Sequence, residues 1–288
     1  MKSNVYFCKN LTPEAVLEMY KLLGKTLTGR VAIKVHSGEE GNPNFLRPSF
    51  WKPVVDFVGG TIVECNTAYE GARNTAERHM ALFKKHGWSD MYPVDLLDAA
   101  GPDMVLNIPH GTVIQKNYVG KDLQNYDSTL VLSHFKGHPM GGFGGALKQL
   151  SIGFASSYGK SYIHGVGDPE HFWDRKQEMF LEAMADAAWS VADYFGGNAV
   201  YINVMKNLSV DCDCCGANAK LPCMEDVGIL VSLDPVAIDQ ACVDLVYASN
   251  DPGKADLIER IESRHGIHTL EAAEKLGIGS REYTLIPV

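Results

Sequence analysis

Apolar residues fall along this chain in short runs, separated by longer amphipathic stretches. The runs at 5–7, 31–35, 61–65, 104–108, 129–133, 199–205, 227–233 and 283–286 read as strands. Most are apolar at successive positions rather than alternating, as expected of strands buried on both faces. Helix signals fall between them. Thr12-Pro13 supplies a capping hydroxyl and a proline at the first helical position, and Gly24 ends that helix. Ser49 opens a helix closed by Gly59-Gly60. Further helices are predicted over 74–85, from Asp168-Pro169 to about residue 195, after Asp234-Pro235, and over 255–264 and 270–276. The stretch 94–99 fits either state. This alternation predicts an α/β fold, with a mainly parallel or mixed sheet covered by helices on both faces. No repeat or linker divides the chain, so residues 1–288 read as a single domain.

Composition narrows the function classes. A net charge of -9 argues against a nucleic-acid-binding surface and against a polybasic membrane anchor. No apolar run has the length of a membrane span, and the apolar run near the start is too short for a signal-peptide core, so a cytoplasmic protein is expected. In a reducing compartment, clustered cysteines serve as ligands or reactive thiols rather than as disulfides.

That expectation bears on one stretch. Cys212, Cys214, Cys215 and Cys223 place four of the seven cysteines within twelve residues. Thiolates select zinc, copper(I) or iron–sulfur clusters. The spacing matches neither a zinc ribbon nor a ferredoxin run, so the cofactor is left between an iron–sulfur cluster and zinc. In an extended segment Cys212 and Cys214 point the same way and Cys215 points away, unless Gly216 turns the chain. The alternative is a set of free thiols in a polar loop.

A second group follows the run at 129–133. His134, Lys136 and His138 lead into Gly141, Gly142, Gly144 and Gly145, with Lys148 beyond. Glycines allow close backbone approach to a ligand, and the helix start near Ala146 favours an anion. The pattern is neither a phosphate-binding Walker loop nor a dinucleotide fingerprint. The plain alternative is a flexible loop needed for tight packing. Lys34, His36, Arg47, Arg73 and His110 each lie in or near a loop after a predicted strand, and together they would form a cationic pocket for a carboxylate or phosphate. In open parallel sheets, ligands collect at such strand ends. Asp234 reads as a helix N-cap. Asp239 lies among apolar helix positions and needs a partner if it is buried.

The segment from Asp226 through Asp234-Pro235 to Asp239 and Ala241 closely resembles the signature of the bacterial and archaeal family called domain of unknown function 362. Cys212-Asp213-Cys214 and the region from Lys136 to Lys148 match as well, and weaker similarity appears around Lys34, Arg47 and Arg73. The resemblance implies an iron–sulfur association, because many members carry an added ferredoxin-like domain with two four-cysteine runs. This chain has neither run, so the resemblance implies a core that stands without that domain.

Three functional expectations follow. In the first, Cys212, Cys214 and Cys223, with Cys215 as a fourth ligand, hold a metal or cluster beside an anion site, in a redox-linked or metal-dependent enzyme. There Lys136, His138 and Lys148 act in catalysis, and Lys34, His36, Arg73 and the glycines hold the substrate. In the second, an enzyme or binding protein takes a small phosphorylated or carboxylated metabolite without a metal. In the third, the protein is a non-catalytic partner of ferredoxin.

Overall fold

The computed structural model describes residues 2–171 and 175–288. Twelve strands lie among the described residues: β1 Ser3–Cys8, β2 Val31–Lys34, β3 Thr61–Glu64, β4 Val94–Leu96, β5 Met104–Asn107, β6 Lys116–Val119, β7 Ser128–His134, β8 Lys136–His138, β9 Gly142–Gly144, β10 Ala199–Met205, β11 Gly228–Ser232 and β12 Tyr283–Pro287. The helices are α1 Pro13–Leu22, α2 Pro48–Val58, α3 Ala76–Lys85, α4 Trp88–Met91, α5 Ala146–Lys148, α6 Ser157–His164, α7 Gln177–Phe195, α8 Pro235–Ala248, α9 Lys254–Ser263 and α10 Ile267–Lys275.

Eight strands form one sheet in the order β12-β1-β11-β10-β7-β2-β3-β4. Every neighbouring pair is parallel except those made by β11, which runs against both β1 and β10. The predicted α/β class therefore holds, with one reversed strand in the sheet. Strands β2, β7 and β10 are buried along their full length, as their continuous apolar runs require. Their side chains alternate between two cores. Ile33, Leu130, Leu132, Val200 and Ile202 pack with Val16 and Met19 of α1 and with Trp51 and Val54 of α2. Ala32, Val131 and Tyr201 face Ala185 and Val191 of α7 and Val236 and Ala241 of α8.

The helix signals have clear local causes. Thr12 accepts from the Ala15 amide and Pro13 opens α1. Gly59 closes α2 with φ 71°, the left-handed conformation that favours glycine. Asp234 caps α8, accepting from Val236 and Ala237 at 2.9 Å each. The helix expected from Asp168-Pro169 is resolved into a 3-10 turn at Pro169–His171 and the long α7; the intervening part of that expectation, residues 172–174, lies outside the described residues. No helix among the described residues is long and apolar enough to cross a membrane.

The glycine-dense segment forms regular structure. Strands β8 and β9 pair antiparallel as a small hairpin, with Lys136 opposite Gly144 and His138 opposite Gly142. Gly137 is required there, because a Cβ would lie 2.3 Å from the Val210 carbonyl oxygen. The start of α5 does not await an external anion, as its sequence suggested. Asp239 of α8 fills that place, accepting from the Ala146 and Leu147 amides at 2.7 and 2.9 Å and from Asn203 Nδ2 at 2.7 Å. Burial pushes the Asp239 carboxyl up to about 6 against these three donors. A Cβ on Gly145 would lie 2.3 Å from that carboxylate, which accounts for the glycine.

Asp239→Ala would leave three buried donors without an acceptor. We expect a loss of about 3 kcal/mol or more in urea unfolding. A loss under about 1 kcal/mol would show that the contact does not hold the hairpin and α5 in place.

Candidate active site

Strands β2 and β7 are neighbours, but the chain continues from β2 outward to β3 and β4 and from β7 the opposite way to β10. Ligands of open parallel sheets gather at such a switch, beyond the carboxyl ends of the strands. A cavity of about 430 Å³ opens there, a volume within the range of small-molecule sites. Lys34 and His36 reach it from the end of β2, Glu64 and Cys65 from β3, and Ser133 and His134 from β7. Residues two apart on a strand share a face, so β8 presents both Lys136 and His138 to the cavity. Gly144, Gly145, Lys148 and the π-helical turn Gln149–Gly153 close one wall, and α6 adds Lys160 and His164.

The cavity is ringed by buried charge. Lys34 is 1% exposed, with Nζ donating to the Val35 carbonyl at 2.5 Å and standing 3.8 Å from Glu64. Arg73 spans Glu39 at 3.0 Å and Glu64 at 3.6 Å. Glu64 also meets His79 Nε2 at 2.9 Å and accepts from the Ser37 hydroxyl at 2.5 Å. Asp213 holds Lys136 and His134 Nδ1 at 2.9 Å each. Lys160 donates to the Ala155 carbonyl at 2.5 Å, and Lys148 contacts the Cys212 sulfur at 3.6 Å. No carboxylate lies within ion-pair distance of Lys148 or Lys160 among the described residues. Five cationic side chains thus face the cavity against Glu39, Glu64 and Asp213 in ion-pair contact and Asp98 acting on Lys160 from farther off, an excess of one positive charge in a chain of net charge -9.

Proton affinities follow from burial and these partners. Burial would raise the Glu64 carboxyl, but Lys34, His79 and Arg73 outweigh it and hold the group well below its ordinary range. Asp213 is held low against burial by His134 and Lys136. Burial opposes the charge on Lys136, yet Asp213 keeps that amine raised and protonated. Burial pushes Lys34 down to about 8, overcoming the attraction of Glu64. Lys160 is lowered for the same reason, and His36 and His164 fall to about 4.

The thiols lie at one side of this cavity. Cys212, Cys214 and His138 place their ligand atoms within 4.8 Å of one another, close enough to hold a metal ion. The two cysteines are not on an extended strand: a 3-10 turn begins at Asp213, and Gly216 breaks it with φ 58°. Cys215 lines the cavity beside Cys214 but stands outside the close group. Cys223 is not brought into it either; its thiol faces the Leu208 carbonyl at 3.3 Å. Two donors on a common ion at about 2.3 Å lie no more than about 4.6 Å apart, close to the 4.8 Å that bounds this group, and its two sulfurs would favour a thiophilic ion. His138 does not fit as its third ligand. Its Nδ1 accepts from the Met140 and Gly141 amides at 3.2 and 2.9 Å, so the proton of the neutral ring sits on Nε2, which faces Cys214 at 3.9 Å. Burial, followed by Lys148 and His164, keeps that ring neutral. A ligating histidine normally shows the reverse, donating from its remote nitrogen.

Of the residues singled out from sequence, Lys34, His36, Arg73, Lys136, His138, Gly144, Gly145, Lys148, Cys214 and Cys215 line one cavity. Gly141 supports His138 through its amide, and Gly142, with φ 79°, packs against Gly266. Arg47 instead lies over the Phe45 ring at 3.9 Å, and His110 is exposed. Glu39, Glu64, His79, Lys160 and His164 escaped the sequence reading, and Asp213 entered it only as part of the Cys212-Asp213-Cys214 motif, without a role. Glu64 closes a recognised strand and Asp213 stands between two recognised cysteines, and those positions were the available signals.

Nitrogen-15 spectra at neutral pH should show His138 protonated on Nε2 and bare on Nδ1. A proton on Nδ1 would contradict the hydrogen bonding described and restore His138 as a ligand.

No curated protein matches the sequence. Among solved structures, the chain is similar to the lactate racemase apoprotein from Thermoanaerobacterium thermosaccharolyticum, with 12% identity, a TM-score of 0.42 and coverage of 69% of this chain and 50% of that one. It is also similar to a protein from Thermotoga maritima, with 11% identity, a TM-score of 0.48 and coverage of 83% and 60%. The chain therefore spans half to three fifths of the length of these two proteins. The model of the family described as domain of unknown function (DUF362) matches residues 31–244, and the chain belongs to that family.

Proposed function

We propose that the protein is an enzyme acting on a small organic anion, a carboxylate or phosphate ester, held in the cavity at the ends of β2, β3 and β7. The observation that carries this reading is the excess of positive charge facing the cavity, on four buried cations and the half-buried Lys148. Unpaired charge in a protein interior is costly, and an anionic ligand entering the cavity offsets it. Lys148 and Lys160 have charge to offer such a ligand, whereas Lys136 is committed to Asp213. Catalysis needs groups that exchange protons near neutral pH. Lys34, brought down to about 8, is suited to that role, and the neutral His138 offers an N–H donor.

A second reading adds a thiophilic ion, such as zinc, held by Cys212 and Cys214 at the edge of the same cavity. The proximity of the two sulfurs supports it. Such an ion would polarise a substrate oxygen. Recording the His138 spectra again with zinc present tests whether the ring takes part, since ligation moves the proton off Nε2.

Oxalate is a suitable probe because both its carboxyls are ionised across neutral pH. Calorimetry should show one site per chain, with affinity falling as pH rises through about 8, where Lys34 gives up the proton that attracts the anion. Lys160→Met should weaken oxalate at least about tenfold, or about 1.4 kcal/mol. It should also raise stability by about 1 kcal/mol, because a buried charge is removed. Unchanged affinity in this variant would remove Lys160 from the site, and no binding of oxalate, pyruvate or phosphate to the wild type would overturn the reading.

A further inference from the structure

Lys34 differs from the other cavity lysines in ways that bear on covalent chemistry. It is the last residue of β2, a fully buried strand, and its side chain is 1% exposed yet faces the cavity. Lys136 is fixed at 2.9 Å to Asp213, which keeps it cationic and non-nucleophilic. Glu64 stands farther from Lys34, at 3.8 Å, and is shared with Arg73 and His79. The wall beside Lys34 is shaped for it: a Cβ on Gly153, in the π-helical turn, would come within 2.7 Å of the Lys34 Cε. A buried amine beside other cations, with its counter-ion shared, matches the environment that activates lysine for attack on carbonyl carbon.

We propose that Lys34 forms an imine with a carbonyl-bearing carboxylate, the class of 2-oxo acids. This rests on the anion site of the preceding section and narrows its substrate class. The neutral Nζ attacks the carbonyl carbon and a C–N bond forms as the C=O π electrons move to oxygen. One proton lost by nitrogen and one from a neighbouring acid leave with that oxygen as water, and the nitrogen keeps its second proton, so the product is the iminium C=NH+; no oxidant or reductant is required. Lys148 and Lys160 meet the carboxylate while the carbonyl faces Lys34. The iminium then draws electrons from the adjacent carbon, which favours proton removal or decarboxylation there.

The test is reductive trapping of the wild-type protein. Pyruvate or glyoxylate is added with cyanoborohydride, and the modified lysine is located by peptide mass mapping, which needs no variant to fold. Oxalate binding is measured on the same preparation. The expected result is a single reduced adduct on Lys34, suppressed by excess oxalate. Its rate should rise about tenfold from pH 7 to 9 and then level off, where a surface amine would keep rising. Oxalate binding without an adduct, or an adduct on another lysine, would overturn the imine and leave the anion site standing. Absence of both binding and adduct would overturn the two together.

Discussion

The structure depends on how buried charge is held at the carboxyl edge of the sheet. Asp213 and Glu64 are each nearly inaccessible, and each sits between two or more cationic or imidazole groups. Removing one member of such a network leaves a partner without compensation, at a cost of about 3–5 kcal/mol. The two carboxylates therefore fix Lys34, Arg73, His134 and Lys136 around one space. They do not neutralise everything facing that space, and the remainder, Lys148 and Lys160, points to an anion. Function on this account follows from an electrostatic surplus rather than from any single catalytic group.

A second device keeps that edge in register. Asp239 reaches from α8 to the backbone of α5, the segment between the β8–β9 hairpin and the π-helical turn, and to Asn203 of β10. The closely packed glycines answer two separate contacts. Gly145 makes room for the Asp239 carboxylate and Gly137 for the Val210 carbonyl. The Gly141 amide, at the turn of the same hairpin, sets the tautomer of His138. One buried carboxylate thus connects the most specific stretch of sequence to the side chains that line the cavity.

Much of this was legible in the sequence, for reasons that also explain what was not. Continuous apolar runs marked β2, β7 and β10 because both faces are covered, and the polar residues just after them marked the cavity edge. A run of apolar residues carries no direction, so the reversal of β11 was invisible. Lys34 and Arg47 gave the same local signal, yet Arg47 turns away to lie over Phe45. Where a loop side chain points is decided by distant packing. Asp239 was recognisable as needing a partner, but the partner lies some ninety residues away in the chain. The cysteine cluster was conspicuous as composition. The fold separates it, bringing Cys212 and Cys214 together and leaving Cys223 against a backbone carbonyl.

The central claim is that the cavity holds an anion, and the most direct measurement is a crystal structure of the protein grown with selenate, whose selenium is located by anomalous scattering. The account predicts a strong peak inside the cavity, within hydrogen-bond reach of Lys160 and either Lys34 or Lys148. Peaks confined to the outer surface, with only water between the lysines, would contradict it.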